Sequence, residues 1–128
     1  QPTIYDFIDS DDHGVGMVPR FEYERDAVVK CSATGGAAVL IHRAVLEGIN
    51  EKDGPEWFTP VRHPKGTTFS EDLSFFVRVA GIGEQLAVDT SVKTAHGKGD
   101  LWLDEEHYDN ERLLRRVKEE GTHGADSA

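Results

Sequence analysis

The chain has 128 residues, of which 24 are acidic and 14 basic, giving a formal net charge of -10. Hydrophobic residues make up 38% of it, a content that fits one domain or part of a larger one. Because nucleic-acid affinity comes mostly from clustered Lys and Arg, this acidic balance argues against a protein that binds nucleic acid.

Cysteine content and hydropathy indicate a cellular compartment. Cys31 is the single cysteine and cannot form an intramolecular disulfide, so we expect a buried thiol and a reducing compartment. No stretch reaches the roughly twenty apolar residues needed to cross a bilayer, and no signal-peptide pattern opens the chain. We therefore expect a soluble, cytoplasmic protein with no membrane span.

Near the N-terminus, an apolar and aromatic patch over residues 4–8 passes into an acidic segment over residues 9–13. This pattern predicts a short strand or a lid-like segment followed by an acidic turn. The Asp-x-Asp pair formed by Asp9 and Asp11 is also a candidate metal site. A solvated turn is the favoured interpretation, because no rigid apolar strand precedes the pair to present it.

The following segment predicts a strand over residues 26–33 that is broken at Gly35 and Gly36. Two adjacent glycines permit a positive φ and a close approach to the backbone, or they form a plain tight turn. A short apolar run over residues 37–41 leads into a predicted helix that ends near Gly48. A continuous helix and a strand followed by a helix both fit this run.

Residues 50–69 contain several Pro and Gly residues and predict a loop. Within it, Trp57 and Phe58 form an aromatic pair. Such a pair supplies a flat surface on which a sugar or a base can stack, or it anchors the loop to the core.

The segment over residues 70–81 predicts a helix of about three turns. Ser70 is a good N-cap, Glu71 and Asp72 are acids in the first turn, and Gly81 is a plausible C-cap. The acids either complement the helix dipole or perform general-base chemistry at the rim of the core. An apolar face is predicted from the three- and four-residue spacing of Leu73, Phe76, Val77 and Ala80.

Two short strands are predicted after this helix, over residues 85–89 and 92–96. His96 lies where the second run gives way to a glycine-containing loop over residues 97–99. A histidine at the end of a strand is well placed to bind a metal or a substrate, although a lone histidine is more often structural or exposed.

The C-terminal segment over residues 104–120 predicts a charged helix with an acidic first turn and basic residues later. We assign its apolar stripe to packing. Residues 121–128 are expected to form a flexible tail. Together these elements predict an α/β fold with a mixed, partly antiparallel sheet and flanking helices.

Taken in chain order, these motifs resemble the C-terminal, acceptor-side half of a GT-A-type (Rossmann-like) glycosyltransferase, and in particular the small glycosyltransferase-like proteins of bacteria and bacteriophages. The similarity extends over residues 2–108, and the order and spacing of its later motifs are more specific than any single motif. The motifs that carry the resemblance are Thr34-Gly35-Gly36-Ala37-Ala38, Arg43, Trp57-Phe58, Ser70-Glu71-Asp72-Leu73 with Arg78, Val88-Asp89, Val92 and His96.

The resemblance implies roles for particular residues. Asp72 would contact the acceptor hydroxyl and, in inverting members, act as its general base with support from Glu71. Gly35 and Gly36 would line the substrate pocket. Trp57 would be the aromatic residue on the acceptor side, and Arg78 belongs to the same substrate-binding set.

The resemblance also implies a cofactor and substrates. His96 would help to hold a divalent cation, Mn²⁺ or Mg²⁺, on the diphosphate of a nucleotide-sugar donor. The chemistry is coherent, since a diphosphate leaving group needs a hard cation and the acceptor oxygen needs a positioned carboxylate. The identity of the sugar, nucleotide and acceptor does not follow from these residues.

The chain departs from the family pattern in lacking residues for the N-terminal, nucleotide-binding half. The expectation is therefore that residues 1–120 form an acceptor-binding and catalytic half, with an exposed sheet edge, and that the other half is a missing segment or a separate chain. The alternative is a non-catalytic remnant that acts as a carbohydrate-binding or assembly subunit. A hydrolase using Glu71 and Asp72 is less favoured, because adjacent helical residues point in different directions.

Overall fold

A computed structural model describes residues 3–125 of the chain, with side chains described for residues 3–120. This part of the chain contains both helices and small sheets, which confirms the predicted mixture of α and β structure. The described residues divide into two compact units, 3–91 and 92–125. The elements in chain order are β1 (Ile4–Ser10), β2 (Gly14–Pro19), β3 (Val28–Cys31), β4 (Ala33–Thr34), α1 (Arg43–Asp53), α2 (Glu71–Gly81), β5 (Leu86–Asp89), β6 (His96–Lys98), β7 (Leu101–Leu103) and α3 (Glu105–Ala125).

The first unit begins with a hairpin. Strands β1 and β2 pair antiparallel, from Tyr5 opposite Pro19 to Ser10 opposite Gly14, and β4 pairs on the other side of β1. The acidic segment forms the turn of this hairpin, as expected, with the backbone N–H of His13 donating to Ser10 Oγ at 3.0 Å. Asp9 forms an ion pair with Lys65.

Strands β3 and β5 form a separate antiparallel pair, with Val29 opposite Val88. All strand pairs in the described residues are antiparallel, so the expected mixed sheet is not observed there. Alternation of apolar residues predicts that a segment is a strand, but it does not indicate whether the neighbouring strand runs parallel or antiparallel to it. The strand predicted over residues 26–33 is confirmed, although Ser32 divides it into β3 and β4.

Helix α2 supplies most of the core of the first unit. Phe75, Phe76 and Val79 are buried together with Ala33 of β4 and Ile49 of α1. The helix has the predicted extent, but its buried face is rotated from the predicted one, since Phe75 and Val79 are buried whereas Ala80 is exposed. A polar residue within this face, Ser74, is fully buried: its hydroxyl donates to the Phe69 carbonyl at 3.1 Å and accepts from the Val61 N–H at 2.8 Å.

The ends of α1 and α2 differ from the predicted ends. Helix α1 continues past Gly48 to Asp53 and is followed by Gly54, whose φ of 85° suits a helix C-cap. Gly48 instead lies inside α1, where a Cβ would approach Ile82 Cδ1 to 3.1 Å. Its small size therefore permits close packing beside α2. Gly81 is the last residue of α2 rather than its C-cap, which is Ile82, and the N-cap residue of α2 makes no side-chain capping bond.

The second unit contains the β6–β7 hairpin and helix α3. His96 begins β6 and pairs with Leu103, so the prediction of a strand over residues 92–96 followed by a glycine loop was wrong. Glycines lack side chains that signal a strand. Here Gly97 lies against the ring of Trp102, and a Cβ at residue 97 would come within 3.4 Å of that ring.

Helix α3 starts where it was predicted and extends further. Asp104 Oδ1 accepts from the N–H groups of Glu106 and His107 at 3.1 and 3.3 Å, which satisfies two donors of the first turn. The hydrogen bond between the His107 ring Nδ1 and Asp104 Oδ1, at 2.9 Å, together with these backbone bonds, holds the pKa of Asp104 below its ordinary value. The helix backbone continues to Ala125, and the rest of the predicted tail, 126–128, lies outside the described residues. No helix in the described part of the chain is both long and apolar enough to cross a bilayer.

Candidate functional site

The first turn of α2 opens onto a cavity of about 580 Å³ within the first unit. Its walls come from three segments: the chain between β4 and α1, the aromatic loop, and the face of α2 that begins with Asp72. Apart from the Asp72 carboxylate, the side chains that line it are apolar. The lining residues are Gly36, Ala37, Ala38, Val39, Ile41, Phe58, Asp72, Phe75 and Phe76.

Asp72 and Gly36, two residues predicted for the site, are in direct contact. The backbone N–H of Gly36 donates to Asp72 Oδ2 at 3.1 Å. The second oxygen, Oδ1, accepts no hydrogen bond from the residues that the structure describes. One oxygen of the carboxylate is thus tethered, and the other has no hydrogen-bond donor among the described residues.

The contact depends on the absence of a side chain at residue 36. A Cβ built there would lie 2.8 Å from Asp72 Oδ1. Neither Gly35 nor Gly36 has a positive φ, and residues 36–37 form a turn, the second of the two interpretations. The missing side chain of Gly36 provides the space that the carboxylate occupies.

We expect Gly36→Ala to displace the Asp72 carboxylate. Backbone strain is not involved, since the conformation suits any L-residue, so the expected loss of about 1 kcal/mol in the free energy of unfolding comes from the clash and the lost hydrogen bond. A double-mutant cycle with Asp72→Ala, measured by urea unfolding, should show that most of this loss disappears once the carboxylate is removed.

The neighbouring glycine is the matched control. A Cβ at Gly35 would meet only the side chain of Thr3, at 3.6 Å or more, which is ordinary van der Waals contact. Gly35→Ala should therefore leave the free energy of unfolding within about 0.5 kcal/mol of the wild-type value. The proposed contact would be contradicted if Gly36→Ala lowered the free energy of unfolding by the same amount in the Asp72→Ala background as in the wild type.

Arg78 fixes the aromatic loop to α2. Its Nη1 donates to the carbonyls of Trp57 and Thr59 at 2.9 and 2.8 Å, and more weakly to Ser74 of its own helix at 3.3 Å. Arg78 was predicted to bind substrate, and it does not line the Asp72 cavity. In this structure its guanidinium positions the loop that forms one wall of that cavity.

The two aromatic residues of this loop occupy different environments. Trp57 packs partly buried against the core, and its Nε1 is buried with no hydrogen-bond partner among the described residues. Phe58 is 49% exposed, lines the cavity and stacks on Phe75 with a centroid distance of 5.0 Å. The ring that a ligand beside Asp72 would meet is therefore Phe58, whereas the resemblance had implied Trp57 for this role, and Trp57 does not line the cavity.

The remaining predicted residues lie elsewhere. Glu71 is exposed at the start of α2 and does not line the cavity beside its neighbour Asp72. His96 is exposed and belongs to the second unit. Asp89, part of the predicted motif, ends β5 with its Oδ1 accepting from Ser91 Oγ and N–H at 2.6 and 3.0 Å, and these hydrogen bonds hold its pKa below the ordinary value.

Asp72 is the titratable side chain that lines the cavity. Among the side chains that the structure describes, no three His, Cys, Asp or Glu residues come together as a candidate metal site. Mg²⁺ usually keeps several of its waters and is bound through one or two carboxylates together with substrate phosphates. The chemistry that the described lining offers by itself is that of the Asp72 carboxylate.

The lining of the cavity includes residues that sequence analysis did not assign to the site. Ala37, Ala38, Val39 and Ile41 lie in the turn and irregular chain between Gly36 and α1, and only their run of small and apolar side chains indicated a wall. Comparison of the chain with protein-family models, with curated proteins and with solved structures finds no match.

Proposed function

We propose that this chain is the acceptor-binding, catalytic-base half of a glycosyltransferase that moves a sugar from a nucleotide-sugar donor to an acceptor hydroxyl. One observation carries the proposal: the Asp72 carboxylate, which accepts a hydrogen bond from the Gly36 N–H, lines an otherwise apolar cavity. A carboxylate positioned in this way is suited to accept a proton from a hydroxyl group.

In the proposed reaction, the acceptor hydroxyl donates a hydrogen bond to Asp72 Oδ1. As the acceptor oxygen forms its bond to the anomeric carbon of the donor sugar, its proton passes to the carboxylate. The bond between the anomeric carbon and the diphosphate oxygen breaks, and the nucleoside diphosphate leaves with that electron pair. The hydrogen bond from the Gly36 N–H keeps the carboxylate in position to accept the proton throughout this step.

Phe58 would bind the acceptor ring. Its exposed face borders the same cavity as Asp72, and the apolar face of a pyranose packs well on an aromatic ring. Arg78 would act indirectly, by holding the loop that carries Phe58. The size of the cavity, about 580 Å³, is in the range of sites for small ligands.

The proposal places donor binding on a second, nucleotide-binding half, which would complete a GT-A-type fold. Strand β5 pairs with β3 on one side and with no strand of the described residues on the other, and such an edge suits extension by another strand. A divalent cation, Mn²⁺ or Mg²⁺, would be bound mainly by that half, with His96 as the ligand from this chain. No step derived for Asp72 depends on it.

Acceptor binding by the chain alone tests the proposal. In an NMR titration with a panel of methyl glycosides, one or more members should shift the amide signals of Gly36, Ala38 and Phe58. The same glycosides should shift these signals much less in Phe58→Ala, whereas Phe21→Ala, which changes an aromatic residue that does not line the cavity, should behave as the wild type. If no glycoside shifts these signals at millimolar concentrations, the acceptor site is not in this cavity.

A further inference from the structure

The first unit contains a second cavity, of about 550 Å³, on the side of α2 that faces the strands. None of the residues predicted for a site lines it, and Phe76 is the one residue that its lining shares with the Asp72 cavity. Its walls come from four strands, from α2 and the turn after it, and from the loop before α2. The lining residues are Phe7, Met17, Cys31, Ser32, Val61, Arg62, His63, Pro64, Phe69, Phe76, Val77, Val79, Ala80, Gly83, Glu84, Gln85 and Leu86.

The interior of this cavity is mostly apolar. Phe7, Met17, Val79 and Leu86 contribute hydrocarbon or thioether surface from β1, β2, α2 and β5. Cys31 lies in the wall, and burial raises the pKa of its thiol above the ordinary value, so that group is neutral near pH 7 and behaves as a small apolar surface. An apolar interior of this size binds the body of a small hydrophobic molecule.

Arg62 and His63, adjacent in the chain, are hydrogen-bond donors in the lining, and Ser32 adds a hydroxyl whose oxygen accepts from the Phe7 N–H at 3.0 Å. Arg62 and His63 lie in a loop that is closed by a bridge between Arg62 and Thr68. The N–H of Lys65 donates to His63 Nδ1 at 3.2 Å, so the ring proton is on Nε2, which is a donor. The Arg62 guanidinium has no hydrogen bond or ion pair to the residues described.

Two further polar side chains, Glu84 and Gln85, also line the cavity, and they affect which ligand it prefers. Gln85 directs its Nε2 to the carbonyls of Cys31 and Leu86, at 3.2 and 3.0 Å, so its amide hydrogens are already used. Glu84 follows the C-terminal end of α2, where a negative charge is not compensated by the helix dipole. An anionic ligand is therefore attracted by Arg62 and opposed by Glu84.

We propose that this cavity binds a small amphipathic carboxylate, such as a medium-chain fatty acid or an arylalkyl acid. The apolar body would lie among Phe7, Met17 and Leu86, and the carboxylate would accept hydrogen bonds from Arg62 and from His63 Nε2. Arginine is suited to this role because its guanidinium matches a carboxylate with two parallel hydrogen bonds. The inference is independent of the proposed glycosyltransferase reaction, since it uses a different cavity.

Octanoate and 1-octanol test the two parts of this proposal separately, because they share an apolar body and differ in the head group. In an NMR titration of the chain, both should shift the amide signals of Val77, Ala80 and Leu86. Arg62→Met should weaken octanoate binding about fivefold and leave 1-octanol binding unchanged. Glu84→Gln, which removes the opposing charge, should strengthen octanoate binding by a similar or smaller factor.

A cavity-filling variant tests the location. Ala80→Phe places a ring where the lining now has a methyl group and should abolish binding of both probes. Leu40→Phe is the control, since Leu40 is fully exposed and lines neither cavity. The proposal is overturned if neither probe shifts these signals, if Ala80→Phe binds both probes while retaining the wild-type circular dichroism spectrum, or if Arg62→Met weakens the two probes equally. The Arg62 and Glu84 variants change exposed side chains, so they decide the outcome even if Ala80→Phe does not fold.

Discussion

Asp72→Asn is expected to lower the turnover number for sugar transfer by about 10²- to 10⁴-fold, the usual contribution of a general base. The substitution separates proton transfer from structure. An asparagine Oδ1 can still accept the hydrogen bond that the Gly36 N–H donates to Asp72 at 3.1 Å, and the side chain has nearly the same size. The amide cannot take up the proton of the acceptor hydroxyl, so the catalytic step should fail while the cavity keeps its shape.

The measurement requires the chain together with a nucleotide-binding half, as one longer polypeptide or as a two-chain complex. Turnover and acceptor affinity are determined separately, and the acceptor affinity should change little. Asp53→Asn, a change of the same kind at the exposed C-terminal end of α1, should retain wild-type turnover. Full activity in Asp72→Asn would remove Asp72 as the base, and acceptor binding with no turnover in the wild type would favour the non-catalytic alternative.

Phe75→Ala should lower the free energy of unfolding by about 3–5 kcal/mol, as truncation of a large buried aromatic residue usually does. Phe75 is 2% exposed and contacts two other rings: it stacks on Phe58 at 5.0 Å and meets Phe76 edge-on at 5.3 Å. The change removes apolar burial and both ring contacts, each of which contributes beyond its area. A loss of this size is a large fraction of the stability of a small domain.

Urea unfolding followed by circular dichroism measures the effect. Leu40→Ala is the control, because Leu40 has a relative exposure of 102% and its truncation should change the free energy of unfolding by less than about 0.5 kcal/mol. Equal effects of the two substitutions would mean that Phe75 is not part of the core. Since Phe75 also lines the Asp72 cavity, Phe75→Leu, which keeps more of the volume, is the better variant for studying acceptor binding.

The site depends on the same helix that forms the core. Phe75 and Phe76 are buried on α2, and one turn earlier the same helix carries Asp72 to the cavity. Ser74 and Arg78 tie the aromatic loop to this helix through backbone carbonyls and an N–H group. Packing of α2 therefore sets the position of both the carboxylate and the Phe58 ring.

Local patterns in the sequence predicted α2, β5 and the start of α3 close to where they occur. Each has a strong local signal, such as the acids of the first turn of α2 or the aspartate that precedes α3. The signals at Gly48 and around His96 were misleading. Glycine at residue 48 indicated a helix end, but it lies inside α1 because a neighbouring side chain, Ile82, needs the space.

By itself, the sequence determined the positions of the main helices, the acidic turn, the aromatic loop and the placement of Asp72 in the first turn of a helix, because these follow from residues close together in the chain. Only the tertiary structure decided that Gly36 forms a hydrogen bond with Asp72, 36 residues further along the chain, that Phe58 rather than Trp57 borders the cavity, and that every described strand pair is antiparallel. These features depend on which side chains meet after the chain has folded, and contacts between distant residues leave no periodic pattern in a single sequence.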